Sequence, residues 1–303
     1  MKQVISVSLG AATRDFEERA TFLGEPFLLK RIGTDGDYAR YNALLREWDG
    51  VADALCLGGI DRYLYSDGKQ YEFKDARTLI AGVTKSPIVD GSGLKNTLER
   101  ETIKRLADGG VVDFKNSKTL MVCGVDRFGM SEALVEQGGS VVFGDMMFSL
   151  GIPAAIRTWK AHRALARALL PVLTQLPFKL LYPTGESQNR ITPKWGEFYK
   201  SADIIAGDFL LIRKYLPAPD GTPLAGKTII TNTTTAGDVT ELKRRGVRTL
   251  VTSTPRFGDR SPGTNVLEGV FVALNNGKPL SEGEYRAMLT RLDWSPNVEP
   301  LDA

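Results

Sequence analysis

The sequence predicts an α/β protein in which two α/β domains surround a cleft and the second domain is a doubly wound parallel sheet. Short apolar, β-branched runs alternate with helical periods along almost the whole chain of 303 residues. Strands that are apolar on both faces and separated by helices are typical of parallel sheets. A polar break at Asp108–Thr119, "DGGVVDFKNSKT", follows a long helical segment and precedes a new strand–helix–strand unit. We therefore predict one domain over residues 1–112, a second over 113–275, and a C-terminal helix and tail, 276–303, that pack back.

The individual elements follow from the apolar periods. The predicted strands are Val4–Leu9, Phe27–Ile32, Ala52–Leu57, Pro87–Val89, Thr119–Cys123, Ser140–Phe143, Asp203–Ala206, Thr228–Thr231 and Thr249–Thr252. The predicted helices are Thr13–Leu23, Tyr38–Trp48, Asp75–Val83, Leu94–Ala107, Ser131–Gln137, Ile156–Leu173, Phe209–Tyr215, Gly237–Arg245, Thr264–Leu274 and Ser281–Leu292. A hairpin is predicted at Arg62–Phe73, with Asp67 and Gly68 at its turn. The proline-containing tail from Asp293 is predicted to lie over the surface.

The composition excludes several classes of protein. The chain is 42% hydrophobic and 25% charged, as globular proteins are, and no apolar run approaches the ~18 residues of a membrane-spanning helix. Its net charge of +3 is small and evenly spread, which argues against nucleic acid as a partner. Cys56 and Cys123 lie in apolar runs and are predicted to be buried, and the single histidine, His162, leaves no zinc cluster by spacing. The N-terminus lacks the apolar core of a signal peptide, so we expect a cytoplasmic protein.

Polar residues gather where the predicted strands end. In open α/β sheets, ligands bind outside the carboxyl ends of the strands. These ends carry Arg31–Asp37, Leu57–Arg62, Val89–Thr97, Gly124–Met130, Phe143–Asp145, Ala206–Asp208, Thr231–Thr235 and Thr252–Asn265. Each stretch alone also fits a structural turn, but their common position at the edges of two sheets favours a binding cleft.

The stretch "GVDRFGM" is similar to the dinucleotide-binding turn of Rossmann-like domains, which reads G-x-G-x-x-G with an acidic residue about 20 positions on. Gly124 and Gly129 match the outer glycines, whereas Asp126 replaces the middle one and Arg127 can offset its charge. Asp145 ends the next strand, where a carboxylate can accept both ribose hydroxyls of NAD and would repel the 2′-phosphate of NADP. The stretch predicts either an NAD-binding loop, with NADP less favoured, or a plain structural turn. The predicted cofactor-binding residues are Gly124, Asp126, Arg127, Gly129, Met130, Asp145, Gly207, Asp208, Thr231 and Asn232.

Several segments resemble shikimate/quinate dehydrogenases. Val89–Arg100, "VDGSGLKNTLER", and Lys118–Leu134, "KTLMVCGVDRFGMSEAL", resemble that family's N-T-D-G-x-G helix and the strand leading into its glycine-rich cofactor turn. Ala202–Asp208, "ADIIAGD", stands where the family has a strand ending in an Asn-Ala-Thr-like turn. Gly263–Leu280, "GTNVLEGVFVALNNGKPL", resembles the family's helix that crosses back to the substrate domain. The whole chain also resembles bacterial proteins named quinate 5-dehydrogenase.

The resemblance implies a catalytic pair that this sequence keeps only in part. Asp90 matches the family's catalytic Asp, but Asp61 and Arg62 stand near the position of its catalytic Lys, and Arg cannot relay a proton. Lys95, one helical turn beyond Asp90, is either the substitute or a solvated helix residue. Glu268 lies close to the place of the family's substrate-contacting Gln. The resemblance thus gives Asp90 and Lys95 as catalytic residues, and Asp35, Asp61, Arg62, Asn265 and Glu268 as substrate-binding residues.

Two functional hypotheses follow. The first is an NAD(P)-dependent oxidoreductase, with NAD favoured, that oxidises a ring hydroxyl of a quinate- or shikimate-like polyhydroxy acid. Asp90 would handle the hydroxyl proton, together with Lys95 if Lys95 is the substitute for the missing Lys. The second is a non-catalytic protein that senses a nucleotide or metabolite on the same fold, which the altered turn and the missing Lys favour. Both predict a small-molecule ligand and neither predicts a metal, a membrane or a nucleic acid. A homodimer stays open under both.

Overall fold

The computed structural model describes residues 1–178, 190–254 and 263–302. Its strands are β1 (Lys2–Ser8), β2 (Phe16–Phe22), β3 (Glu25–Gly33), β4 (Ala54–Gly58), β5 (Tyr63–Ser66), β6 (Lys69–Glu72), β7 (Ile88–Val89), β8 (Lys118–Met121), β9 (Ser140–Phe143), β10 (Ile204–Ala206), β11 (Thr228–Thr231), β12 (Thr249–Thr252) and β13 (Asn297–Pro300). Its helices are α1 (Tyr38–Trp48), α2 (Lys74–Ile80), α3 (Ser92–Asp108), α4 (Phe128–Glu136), α5 (Asp145–Phe148), α6 (Trp159–Leu173), α7 (Gly196–Ser201), α8 (Phe209–Lys214), α9 (Ala236–Arg244), α10 (Thr264–Leu274) and α11 (Glu282–Arg291).

The chain divides into two compact α/β units. Among the described residues, the first unit holds Met1–Thr97, residues 169–178 and Gly263–Trp294, and the second holds Leu98–Ala168, residues 190–254 and residues 295–302. This division differs from the predicted domain boundaries at several points. Residues 98–112 belong to the second unit, whereas residues 169–178 and α10, which the sequence places in the second domain, belong to the first.

The first unit is built on a five-stranded sheet in the order β2-β3-β1-β4-β7. Strands β3, β1, β4 and β7 are parallel, and β2 pairs antiparallel with β3 at the edge. Helix α10 packs against β1, β4 and β7. Gly269 permits this close approach, because a Cβ there would lie 2.5 Å from the Sγ atom of Cys56. Since the carboxyl ends of parallel strands meet at one edge, the loops after β4 and β7 start side by side.

Residues 13–23, which the sequence predicts as a helix, instead contain strand β2. Its side chains alternate between exposed and partly buried, with Glu17 and Arg19 exposed, as in a half-buried edge strand. Leu23 and Gly24 connect β2 to β3 with φ angles of 51° and 85°. A two-residue turn with both residues at positive φ favours antiparallel pairing, and this pairing overrides the helical period of the stretch.

The predicted hairpin at Arg62–Phe73 is confirmed. Strands β5 and β6 pair antiparallel, and Ser66 pairs with Lys69 next to the turn. Asp67 and Gly68 have φ angles of 51° and 73°, as the predicted Asp-Gly turn requires.

The second unit is built on a six-stranded sheet in the order β13-β12-β11-β10-β8-β9. Strands β8 to β12 are parallel, and β13 is antiparallel to β12. Successive residues of one strand enter two different cores, as Leu120 and Met121 of β8 do. Because apolar clusters cover both faces, this is the doubly wound parallel sheet that the sequence predicts. The strand order reverses between β8 and β10, so the residues after these two strands flank the switch point.

The C-terminal tail forms an edge strand, which the sequence does not predict, and most of its residues are exposed or partly exposed. Residues Asn297–Pro300 form β13 and pair with β12, and Leu301 is buried in the core of the second unit. An edge strand tolerates a proline, because one side of it needs no backbone donor. Of the helices in the described part of the chain, none is long and apolar enough to cross a membrane.

Candidate functional site

The loops after β4 and β7 and the first turn of α3 form a polar cluster in the first unit, which we call the β4–β7 edge (Asp61, Arg62, Asp90, Gly91 and Lys95). The structure brings both predicted catalytic residues and two predicted substrate-binding residues together here. This grouping follows from the sheet, because β4 and β7 are parallel neighbours.

Asp90 is buried, and its carboxylate is fully occupied by the protein. Oδ2 accepts the N–H groups of Arg62 at 2.6 Å and Tyr63 at 3.0 Å. Oδ1 accepts the N–H of Ser92 at 3.2 Å and its hydroxyl at 2.6 Å. Since a carboxylate offers about four lone-pair sites, a proton from a ligand could reach Asp90 only by displacing one of these donors. In this arrangement Asp90 fixes the loop after β4 to the start of α3.

Lys95 and Asp61 form an ion pair at the same edge. The Nζ of Lys95 lies 3.2 Å from Oδ1 of Asp61, and their side chains are 10% and 18% exposed. Arg62 turns toward the hairpin, where its Nε donates to Oε1 of Glu72 at 3.0 Å and its guanidinium lies over the Tyr63 ring. The predicted substitute for the catalytic Lys is therefore paired with a predicted substrate-binding residue.

Glu268 of α10 contacts this edge at Gly91. Its Oε2 accepts the N–H of Gly91 at 2.6 Å, and its Oε1 accepts the hydroxyl of Tyr285 at 2.6 Å. Gly93 leaves room for this carboxyl, because a Cβ there would lie 2.3 Å from Oε1. Burial, and next the neighbouring charge of Asp90, raises the pKa of Glu268 to about 7. A group with this pKa changes charge near neutral pH.

The two other predicted substrate-binding residues have structural partners. Asn265 donates from Nδ2 to Oγ of Ser6 at 3.1 Å and to the carbonyl of Leu57 at 2.9 Å, which ties the start of α10 to β1 and β4. Asp35 lies after β3, where its Oδ1 accepts the N–H of Ala12 at 2.8 Å. Asn265 thus borders the β4–β7 edge, and Asp35 belongs to the ends of β1 and β3.

Sequence reasoning misses two residues of this site, Ser92 and Tyr285. Ser92 stands two positions after Asp90. This spacing is typical of a carboxylate, here that of Asp90, that accepts an N–H at the start of a helix, so the sequence contains a local signal for Ser92. Tyr285 lies 17 residues beyond Glu268 on another helix. Only the packing of α11 brings it there, and no local pattern announces it.

The predicted cofactor turn of the second unit is closed by its own side chains. Oδ1 of Asp145, the residue predicted to accept ribose hydroxyls, accepts the N–H of Val125 at 2.7 Å. Its Oδ2 lies 3.2 Å from Nε2 of His162, which is fully buried and stacked on Phe143 with ring centroids 4.1 Å apart. Gly124 gives His162 its room, because a Cβ there would lie 2.6 Å from Nε2.

Arg127 occupies the switch point between β8 and β10. Its guanidinium, 4% exposed, contacts Glu99, lies 2.8 Å from Oδ2 of Asp208, and has Asp126 3.7 Å away. Three carboxylates around one cation leave an excess of negative charge, which disfavours a pyrophosphate. The arrangement of these side chains does not fit the phosphates of a dinucleotide. NAD binding stays a prediction, and titration of the protein with NAD tests it.

The remaining predicted cofactor residues surround the same point. Gly207, with φ of 132°, accepts through its carbonyl from Oγ1 of Thr231 at 2.8 Å. Asn232 donates from Nδ2 to Oδ2 of Asp208 at 3.2 Å. Gly129 and Met130 are buried in the first turn of α4. Of the polar stretch Thr252–Asn265, residues 255–262 lie outside the described residues.

We expect Gly124→Ala to destabilise the protein by about 1–3 kcal/mol, because the added methyl group overpacks the site against His162 and Ser131. Urea denaturation measures the change. Gly237→Ala is the matched control, since the nearest atom to a Cβ there is Oγ1 of Thr235 at 3.8 Å. That change should stabilise helix α9 by roughly 0.5–1 kcal/mol. Equal effects of both changes would contradict the role assigned to Gly124.

Comparisons with known proteins give two family matches. The family model described as a domain of unknown function (DUF8754) matches residues 93–301, and one described as a domain of unknown function (DUF8753) matches residues 3–90. The two matched segments leave only residues 91–92 between them, directly after Asp90. No curated protein matches the chain.

Solved structures are similar only at a low level. They include a sugar ABC transport substrate-binding protein from Bordetella parapertussis 12822 (11% identity, 93% of this chain and 82% of that chain covered, TM-score 0.38). A periplasmic solute-binding protein from Actinobacillus succinogenes 130z with bound D-allose has 10% identity, 95% and 100% coverage and a TM-score of 0.39. The NAD-dependent malic enzyme from Thermotoga maritima has 10% identity, 97% and 84% coverage and a TM-score of 0.34. TM-scores this low assign no function to this chain.

Proposed function

We propose that this protein, which belongs to the family described as a domain of unknown function (DUF8754), binds a small polyhydroxylated molecule at the β4–β7 edge without converting it. The proposal is based on the geometry of the first unit. The observation that carries this proposal is the state of the two predicted catalytic residues. Asp90 has four donors on its carboxylate, and Lys95 is paired with Asp61.

The Asp61–Lys95 pair suits neighbouring hydroxyl groups. A carboxylate accepts hydrogen bonds and an ammonium only donates them, whereas each hydroxyl of a polyol can do both. Two adjacent hydroxyls can therefore bridge the pair and keep both charges satisfied. Because the two charges cancel, the pair favours a neutral polyol over a strongly charged ligand.

The same contacts argue against turnover. A general base must be within hydrogen-bonding reach of the proton that it removes, with a lone pair to receive it. Asp90 uses its lone pairs on backbone N–H groups and on Ser92. Arg62 is paired with Glu72. The edge thus supplies oriented donors and acceptors, which serve recognition.

Thermal shift and calorimetric titration with myo-inositol, D-galactose, quinate, shikimate, NAD and NADP test this function. We expect at least one polyhydroxylated compound to stabilise the protein, no stabilisation by NAD or NADP, and no NADH absorbance with quinate or shikimate. Reduction of NAD with either acid would establish the dehydrogenase hypothesis instead. Absence of binding by all four polyhydroxylated compounds would remove the proposed function.

Variants of the ion pair locate the ligand. We expect Lys95→Met and Asp61→Asn each to weaken the affinity for the bound polyhydroxylated compound about 10- to 100-fold, the effect of losing one hydrogen bond to a charged group. Calorimetric titration measures this change. Lys104→Met is the control, because Lys104 forms a comparable pair with Asp108 farther along α3, with 62% and 64% of the two side chains exposed. Affinity that survives both edge variants would place the ligand elsewhere.

A further inference from the structure

Glu268 links three segments of the first unit. It stands on α10, receives the Tyr285 hydroxyl from α11, and receives the Gly91 N–H from the loop between β7 and α3. The glycine at position 93 is required for this contact, since any side chain there would collide with Oε1 of Glu268. The position of the Glu268 carboxyl group therefore depends on the glycine at position 93.

Gly91 transmits this contact to the ligand-binding residues. Its N–H donates to Glu268, and its carbonyl accepts the N–H of Lys95 at 2.8 Å. Its φ of 94° needs a glycine, and a Cβ would lie 2.8 Å from the backbone nitrogen of Asn265. Asp90 precedes it directly. A shift of the Gly91 peptide therefore moves Asp90 and Lys95 together.

We propose that Glu268 is a positioning residue that makes ligand affinity at the β4–β7 edge depend on pH. When ionised, it holds Gly91 by a charge-assisted hydrogen bond and keeps Asp90 and Lys95 in place. When protonated, it holds Gly91 less firmly and the edge binds its ligand more weakly. The pH dependence of the affinity rests on the proposed function. The positioning of Gly91 does not, because it can be measured in the ligand-free protein.

Four titratable groups face Glu268 from the elements packed around it. They are Asp90 from the loop, Tyr65 from β5, Cys56 from β4 and Tyr285 from α11. Burial raises the pKa of Tyr65 to about 12 and raises the pKa of Cys56 and of Tyr285 as well, so all three are neutral near neutral pH. The Tyr285 hydroxyl and the Gly91 N–H oppose the rise in the pKa of Glu268.

Amide hydrogen exchange in the ligand-free protein tests the positioning. We expect protection of the Gly91 amide, corrected for intrinsic exchange, to increase with pH in a step centred near 7 in the wild type. Glu268→Gln should abolish the step. Tyr285→Phe should move it to higher pH, because ionised Glu268 loses one donor. The Leu55 amide, bonded to the Pro87 carbonyl at 2.8 Å, is the internal control.

Titration of myo-inositol and quinate at about pH 6 and about pH 8 tests the coupling. A form that must be ionised to bind gives about tenfold tighter apparent affinity at the higher pH, and Glu268→Gln should show equal affinities. Flat protection of Gly91 in the wild type would overturn the positioning role. A Gly91 step with equal affinities at both pH values would overturn the coupling. A step without binding of either probe would support the positioning and count against the proposed function.

Discussion

Replacing Glu268 with Gln is expected to stabilise the protein by about 3 kcal/mol at about pH 8 and to change its stability little at about pH 5. Burial, and then the charge of Asp90, raises the pKa of Glu268 from 4.5 to about 7. The folded state thus holds this proton more tightly than the unfolded chain. The resulting stability is complete below about pH 4.5 and is lost as the pH rises through about 7. Gln stays neutral, and its amide can accept from Gly91 and donate to the Tyr285 oxygen.

Urea denaturation across this pH range measures the effect, and Glu284→Gln is its control. Glu284 accepts the N–H and hydroxyl of Ser281 at 2.7 Å each, which lowers its pKa. The stabilisation that ionised Glu284 contributes is therefore present at neutral pH and is lost as the pH falls. Glu284→Gln should accordingly destabilise the protein at neutral pH. A Glu268→Gln protein less stable than the wild type at about pH 8 would contradict the assigned cost of the buried charge.

The destabilisation caused by the buried charge of Glu268 can be explained by function. The ionised form of Glu268 lowers the stability of the first unit, yet it is the form that holds Gly91 by a charge-assisted bond. Binding sites commonly retain such locally unfavourable groups, because stability and function select different residues. The Gln variant should separate the two effects, with a more stable fold and an affinity that no longer responds to pH.

The architecture could be predicted from the sequence wherever a local pattern determines it. Strands buried on both faces read as apolar runs, and the Asp67-Gly68 turn fixes the hairpin. Strand β2 and strand β13 could not be predicted in this way. Each pairs at a sheet edge, where β2 alternates polar and apolar residues and β13 contains a proline. Their conformation depends on the neighbouring strand, which a local window does not contain.

The composition of the candidate site was also accessible from the sequence, whereas its chemistry was not. Strand ends place Asp61, Asp90 and Lys95 at one edge because β4 and β7 are parallel neighbours. The occupation of Asp90 by backbone donors depends on where two loops cross, and the sequence does not encode this in any short motif. The use of Asp145 on Val125 is of the same kind. The residue types predict where chemistry can occur, and the three-dimensional contacts decide which lone pairs are left.

Arg127→Met is expected to destabilise the protein by about 3–5 kcal/mol, the usual cost of removing one partner of a buried ion pair. The guanidinium contacts Glu99 and lies 2.8 Å from Asp208, and its loss would leave these carboxylates uncompensated at the switch point. Arg127→Lys should cost less, because it keeps the charge and loses the forked geometry. Urea denaturation measures both changes.

Arg100→Met is the matched control for this prediction. Arg100 lies on α3, as Glu99 does, and its Nη2 is 2.5 Å from Oε2 of Glu132 on α4, but the two side chains are 23% and 31% exposed. Solvent screens such a pair, so its loss should cost less than about 1 kcal/mol. Similar costs for Arg127→Met and Arg100→Met would mean that the cluster at the switch point is not effectively buried. In that event the turn that contains Arg127 would be accessible to a ligand, and this result would favour the prediction of NAD binding.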